Sequence, residues 1–510
     1  MKTKTYQQAI ECLNSLQSNA ATIAASQSAS ASASRRSQTL HDMELYLSKM
    51  GYKPSDLNRL NVLHITGTKG KGSTTAFVSS LLQSLNGDAR IGLYTSPHLV
   101  AVRERIRING QPLTEERFTQ YFFDVWNSLD SELITKEGDK LPPKPAYFRF
   151  MTLMAFHTFL KEDVDATVLE VGIGGTLDCT NIVPGPTVAA VSSLGLDHTA
   201  LLGNSIREIA QNKGGIYKQG ATAISVPQPQ DGLEVLRTCA ESVQAPFSVV
   251  DTSTNFNDVQ LGLKGHHQIL NARLAVQVVK AFVSSTRNDK YAHWKQTLEN
   301  HDWKVLPEIF KHGLANARWP GRCQTVHDPR RASTTWYLDG SHTTDSLVAC
   351  MNWFGEVLNK SSTPSTSSKP HRYLIFNCTK GRSATELLSV IVDSLKSVTN
   401  SHADSIFDTV IFCTNVTYTS GQFASDLTSV NVDVKALQEL NVQHELKSVW
   451  HNLLPHMRDD RVKVLPSIEA AVKCIDEDAG SSQEKEVLVC GSLHLVGGVI
   501  EVAQLADVAL

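Results

Sequence analysis

The chain has 510 residues, of which 41% are hydrophobic and 19% charged, with a formal net charge of −3. That length predicts two or more domains with large cores, and that balance excludes wholesale disorder. A near-neutral charge gives no general pull toward nucleic acid, so any anionic ligand has to be held by a local cluster.

Residues 6–13 carry the first helical pattern, and only Lys2 and Lys4 precede it as basic residues. The start lacks a secretory pattern and the arginines of a mitochondrial presequence, and no apolar stretch reaches bilayer length, so the cytosol is expected; a mitochondrial form would need another start codon. Residues 18–38 are a low-complexity Ser/Ala stretch, expected to be a flexible insertion. A helix near 41–50 and a turn at Pro54 then lead to the apolar run Leu60-Asn61-Val62-Leu63-His64-Ile65, a first strand. It delivers Thr66-Gly67-Thr68-Lys69-Gly70-Lys71-Gly72-Ser73, followed by a helix over 73–85. Three glycines let the backbone bend tightly and turn its N–H groups inward. The helix start adds unpaired donors of its own, so the turn can hold a polyphosphate, with Lys71 as a point charge. The spacing is shorter than that of the common phosphate loop, and a glycine separates Lys71 from Ser73.

Tyr94-Thr95-Ser96-Pro97-His98-Leu99 places a hydroxyl before proline just past a strand, where Ser96 can face a metal or phosphate or simply make a turn. From Val102 to Gly110 arginine alternates with apolar residues, as in an edge strand or loop whose basic side meets an acidic substrate or solvent. Helices over 118–129 and 147–160 flank a Lys/Pro-rich break. Ala166-Thr167-Val168-Leu169-Glu170 then reads as a buried strand running into the glycine-rich turn Val171-Gly172-Ile173-Gly174-Gly175. A carboxylate there is costly to bury unless a cation or hydrogen bonds meet it. Ligands of open α/β sheets gather at that edge, so a metal held against a nucleotide is the economical explanation, and a structural ion pair is the alternative. A strand over 188–194 ends in Gly195-Leu196-Asp197-His198, which repeats the pattern with an imidazole. Lys213 sits in the last turn of a helix capped by Asn204-Ser205 and stopped by Gly214-Gly215.

Residues 263–272 open another helix, and 317–322 form a linker. Beyond it, strands at 335–339, 373–377, 409–413, 462–465 and 487–491 alternate with helices, the pattern of a second doubly wound sheet, with polar inserts at 361–368 and 400–404. Nine scattered cysteines without a Cys-x-x-Cys pair are expected as reduced thiols, with neither disulfides nor structural zinc.

Taken in order, Gly-Thr-Lys-Gly-Lys-Gly-Ser at 67–73, Tyr-Thr-Ser-Pro-His-Leu at 94–99, Arg-Glu-Arg-Ile at 103–106, Glu-Val-Gly-Ile-Gly-Gly at 170–175, Leu-Gly-Leu-Asp-His at 194–198, Lys-Gly-Gly-Ile at 213–216, Trp-Pro-Gly-Arg at 319–322 and Leu-Asp-Gly-Ser-His-Thr at 338–343 resemble the folylpolyglutamate synthase family within the Mur ligase-like superfamily. The resemblance implies an α/β protein: a P-loop ATPase-like, mostly parallel domain over 1–316 and a Rossmann-like glutamate ligase domain over 317–510. It implies ATP on Gly67, Gly70, Lys71, Gly72 and Ser73, one magnesium ion at Ser96 and Glu170, and a second at His198. It further implies a Lys213 that can be carbamylated, Arg322 and Asp339 at the nucleotide, His342 near the incoming L-glutamate, and the folate beside the loop after Ser96. Arg103, Arg105 and Arg382 are candidates for its polyanionic tail. A family alanine is replaced by Gly214, which is expected to loosen the helix end after Lys213. The chain is expected to act as a monomer on reduced folate polyglutamates. Dihydrofolate synthase, and a binding protein that hydrolyses ATP only to change shape, stay open as rivals.

Overall fold

The computed structural model describes residues 4–17, 38–135, 138, 140–285, 289–361, 369–378, 382–399, 406–420, 425–427, 439–478 and 483–510. The Ser/Ala stretch up to residue 37 and the polar inserts at 362–368 and 400–405 lie outside them. The chain divides into two compact units. The first comprises Met1–His98, Arg103–Gly262 and Gln268–Arg318; the second comprises Leu99–Val102, Leu263–His267 and Trp319–Leu510.

In the first unit the strands are β1 (Val62–Thr66), β2 (Ile91–Tyr94), β3 (Ile106–Ile108), β4 (Gln111–Pro112), β5 (Leu133–Ile134), β6 (Lys140–Leu141), β7 (Ala166–Glu170), β8 (Val188–Val191), β9 (Thr222–Ser225) and β10 (Phe247–Val249). β5 and β6 pair separately, and the rest form one sheet in the order β10-β9-β8-β1-β7-β2-β3-β4. Six of its strands run parallel, and β3 and β4 turn back antiparallel at the edge. β1, β2, β7 and β8 are buried at every position, which is why they read as unbroken apolar runs rather than alternating ones. His64 belongs to this core: its Nε2 meets Thr180 Oγ1 at 2.9 Å, and burial pushes its pKa down to about 3, so the ring is neutral.

Helices follow the expected strands with small shifts in their ends. The helix after the glycine loop starts at Lys71, two residues before the expected start, because Gly70 takes a left-handed φ of 84° and lets the turn close at once. Glu115–Ser128 begins under a Thr114 cap, and Ile206–Gly214 begins with a full capping box between Ser205 and Glu208. β8 stops at Val191 rather than 194, since Ser192 and Ser193 turn to bond the glycine loop.

The second unit holds β11 (Gln324–His327), β12 (Thr334–Leu338), β13 (His371–Phe376), β14 (Thr409–Cys413), β15 (Val462–Leu465) and β16 (Lys485–Cys490), in the order β11-β12-β16-β13-β14-β15. All neighbours are parallel except β11, an edge strand too polar to stand out in the sequence. Its core packs Trp336, Tyr373, Ile375, Ile411 and Val489 with Leu495 and Val499 of the helix Leu493–Val502. Among the described residues no helix is long and apolar enough to cross a membrane.

Trp336 is fully buried in β12, and its Nε1 donates to Asp328 Oδ2 at 2.9 Å. Trp336→Ala is expected to cost about 3–5 kcal/mol, from the cavity and from the loss of one of the two donors to Asp328 Oδ2, the other being Arg331. Urea unfolding checks this, and a loss under about 1 kcal/mol contradicts the packing described.

Candidate active site

Four adjacent strands of the first sheet, β8, β1, β7 and β2, point their carboxyl ends the same way, and each ends in or leads to a segment marked out by sequence. β1 runs into the glycine loop. Glu170 is the last residue of β7 and lies in register with Ile65, while Ser96 follows β2 by two residues. The segment after β8 leads to His198.

The loop is held from several sides. Gly67 has φ 153°, and a β-carbon there would stand 1.9 Å from Ser192 Oγ; one on Gly70 would stand 2.2 Å from Asn271 Oδ1. Only glycine fits either position. The helix Lys71–Leu85 has no side-chain cap, so the N–H groups of its first turn lack intrahelical acceptors. Lys71 Nζ donates to the Gly67 carbonyl oxygen at 3.1 Å, and Lys213 Nζ donates to the same oxygen at 2.8 Å. Lys213 is buried. Burial first, and then the charge of Lys71, pulls its pKa down to about 7, against the opposing influence of Asp197 and Asp178. Ser73, also buried, accepts from Gln268 Nε2 at 3.2 Å, and Gln268 Oε1 in turn accepts from Asn271 Nδ2 at 2.9 Å.

Glu170 is 4% exposed, and its Oε2 accepts the Ser96 N–H at 3.1 Å. An oxygen donor set of carboxylate and hydroxyl suits a magnesium ion, which keeps most of its shell as water and phosphate and needs only one or two protein ligands. Among the described residues no cluster of three His, Cys, Asp or Glu side chains stands ready to enclose a metal. His198 lies beside the glycine loop, within reach of the charges of Lys71, Lys213 and Lys69. It takes a left-handed φ of 50°, and its N–H donates to Asp197 Oδ1 at 3.0 Å. Partial enclosure, and the charges of Lys71, Lys213 and Lys69, hold its imidazole below the ordinary range against the pull of Asp197.

Other expectations came out differently. Arg105 and Arg107 are buried: Arg105 Nε donates to His98 Nδ1 at 2.9 Å, and Arg107 donates to the carbonyls of Glu104 and Gly110. Arg103 donates to the Leu113 carbonyl. The alternating arginines thus brace the turn around β3, which the pattern alone did not reveal. At Gly214, where the family alanine is replaced, the packing leaves no room for a side chain. A β-carbon there would lie 2.8 Å from Cys239 Sγ, so the glycine makes room for a packed side chain.

The second unit has its own centre at the carboxyl end of β12. Asp339 is buried, with Oδ2 accepting the Cys323 N–H at 2.7 Å and Oδ1 the Ser341 N–H at 2.8 Å. Arg322 stands close enough to Gly340 that a β-carbon there would meet its Nη1 at 2.6 Å. His342 Nδ1 lies 2.9 Å from the Gly340 oxygen, and its carbonyl accepts from Arg382 Nη1. His267 joins them, its pKa held low by burial and raised in part by Asp339. Sequence reasoning passed over Gln268, Asn271, Asp178, Asp197, Lys69 and His267. Gln268, Asn271 and His267 sit in a polar run, His266-His267-Gln268-Ile269-Leu270-Asn271, that opens a helix without an apolar pattern, and that irregularity was the available signal.

A family model described as Dihydrofolate synthetase, C-terminal domain, matches residues 324–502. The folylpolyglutamate synthase of Saccharomyces cerevisiae strain ATCC 204508 / S288c is 42% identical over 517 residues, which takes in 100% of this chain and 88% of that protein. The structure of Mycobacterium tuberculosis folylpolyglutamate synthase complexed with ADP superposes with a TM-score of 0.68 at 20% identity, covering 98% of each chain. That of E. coli FolC in complex with DHPP and ADP gives 0.61 at 24% identity, covering 93% of this chain and 98% of the other. The solved structures speak to fold. On the full-length identity to the yeast protein, this chain belongs to the folylpolyglutamate synthase family.

Proposed function

We propose that the chain is an ATP-dependent ligase that joins the amine of L-glutamate to the γ-carboxylate of tetrahydrofolate glutamates, releasing ADP and phosphate. The observation that carries this is the meeting of Lys71 and Lys213 on one loop carbonyl, at an uncapped helix start, one strand away from buried Glu170. A carboxylate is a poor electrophile. An oxygen of the substrate carboxylate attacks the γ-phosphorus of ATP and ADP leaves; the glutamate amine then attacks the acyl carbon, phosphate departs, and the amine's proton is lost. The first-turn N–H groups and Lys71 hold the phosphates in line and offset the charge gathering on their oxygens. Ser96 and Glu170 would hold one magnesium ion and His198 another, supplying further neutralisation. In the second unit, Arg322 and Asp339 are assigned to nucleotide and His342 to glutamate. A monomer acting in the cytosol completes the proposal.

Dihydrofolate synthase, the same chemistry on dihydropteroate, is kept as a second reading because the family model matched to residues 324–502 carries that description. Supplying ATP and labelled glutamate with either acceptor separates the two: label is expected in tetrahydrofolate glutamates, and label in dihydropteroate alone overturns the assignment. Glu170→Gln is expected to lower ligation at least about 1,000-fold with an unchanged melting temperature; near-normal turnover at ordinary magnesium would remove Glu170 from the site.

Lys213 titrates near neutrality when folded and near its ordinary 10.5 when unfolded. The unfolded chain therefore holds more protons between those values, and stability rises with pH there. Without nucleotide or bicarbonate, the wild type is expected to gain about 2 kcal/mol over Lys213→Met between pH 7 and pH 9, measured by urea unfolding. Equal pH slopes contradict a neutral amine. The neutral amine is also the form that adds CO2, so a carbamate carbon signal that disappears in Lys213→Met is expected by carbon-13 NMR in labelled bicarbonate.

A further inference from the structure

After β1 and β8 the chain does not separate into two loops. Thr68 and Lys69 both donate their N–H groups to the Ser193 carbonyl, at 2.9 and 3.1 Å. Ser192 Oγ donates to the Lys69 carbonyl at 2.7 Å. Thr68 Oγ1 closes a two-way bridge with the N–H and carbonyl of Gly195, each at 3.1 Å. At the end of this ladder Lys69 Nζ reaches Asp197 Oδ2 at 3.2 Å, and the other oxygen, Oδ1, accepts the His198 N–H at 3.0 Å. Asp197 thus spends one oxygen on the phosphate loop and the other on His198.

What that second bond holds is an unfavourable backbone. His198 is a non-glycine residue at φ 50° and ψ 38°, a conformation that costs an L residue roughly 1–2 kcal/mol. It also opens a helix of only four residues, Thr199–Leu202, too short to fix it by itself. The ion pair is partly shielded, with side-chain exposures of 31% for Lys69 and 19% for Asp197, so it is worth more than a pair in open water. A lysine inside a phosphate loop invites the assignment of a direct phosphate contact, yet this ammonium is turned away onto Asp197, whereas Lys71 turns into the loop.

We propose that Lys69 is a positioning residue: through Asp197 it fixes the backbone of His198, so that the imidazole is presented to the site only when the phosphate loop is in its receptive shape. This rests on the reading that His198 works in the metal and phosphate site. The partners that face the pair are Lys71, Lys213 and His198, all on the same edge, so a nucleotide entering the loop would act on the imidazole through this clamp.

The test begins on the protein without nucleotide or metal. Hydrogen exchange of the amides in residues 193–202 is expected to speed up at least about 10-fold at His198 in Lys69→Met and in Asp197→Ala. In Asp197→Asn, which keeps an acceptor for that N–H, the increase is smaller. Unchanged exchange in Lys69→Met overturns the proposal. In the ligase assay Lys69→Met is expected to raise the magnesium concentration for half-maximal rate about 10-fold and to leave KM for ATP within about 2-fold. Lys69→Arg restores the wild-type value, and Lys69→Met/Asp197→Asn is no worse than the poorer single variant. A rise in KM for ATP with an unchanged magnesium requirement would make Lys69 a phosphate ligand and overturn the clamp. Additive losses in the double variant would do the same. His198→Ala separates the two levels: full activity there removes the underlying reading, while an inactive His198→Ala beside an unaffected Lys69→Met removes only the clamp.

Discussion

Two ammonium groups on one carbonyl oxygen is the arrangement on which the rest of the first unit depends. Lys71 and Lys213 come from helices 142 positions apart in the chain, yet both donate to Gly67. Burial disfavours the charged form of Lys213, the Lys71 charge beside it adds to that cost, and the pKa falls to about 7. The protein answers by letting Lys213 give up its proton near neutrality, and an incoming polyphosphate would answer by supplying negative charge. A loop with the Lys71 ammonium, a second lysine able to take up a proton, and an uncapped helix start is therefore poised for an anion before any anion arrives.

The sheet order is what makes this meeting possible. Placing β1 between β7 and β8, with β2 beyond β7, brings four carboxyl ends side by side although the strands are dispersed over more than 120 residues of sequence. The glycines at 67 and 70 have no room for a side chain because Ser192 and Asn271 fill the space, so loop, strand end and the helix Gln268–Ser285 are fitted to one another. In the second unit the same rule sets Asp339 at the end of β12. There the carboxylate spends both oxygens on backbone N–H groups, which fixes the turn that carries His342.

Much of this was legible in the sequence, and the reason is local chemistry. Buried parallel strands leave apolar runs, so β1, β7, β12 and β14 could be placed within a residue or two, and the half-buried edge strand β15 was marked by Val462, Val464 and Leu465. A lone carboxylate at the end of such a run, Glu170, is conspicuous against it. The glycine loop stood out because its residue types answer needs of backbone and charge, whereas Lys213 read locally as a helix-end cation and gained its role only from the family resemblance. Supporting contacts were hidden, since hydrogen bonds between distant segments leave no periodic trace. Nothing near Ser73 in the sequence points to Gln268, and nothing in Lys69 points to Asp197. The short edge strands β4, β10 and β11 were obscure because an edge needs little apolar surface, whereas the alternation around β3 had allowed an edge strand or a loop. Arg107 misled for a related reason: a charged residue between apolar ones reads as exposed, while here bonds to the Glu104 and Gly110 carbonyls draw it inward.

Activation of the substrate acid by phosphate at this edge is the step from which ligation follows. Oxygen-18 placed in the γ-carboxylate of the folate acceptor tests that step most directly, by mass spectrometry of the phosphate released in a single turnover. One labelled oxygen is predicted in the phosphate, because the bond between acyl carbon and oxygen breaks when the amine attacks. Phosphate released during ligation without any label would contradict the account.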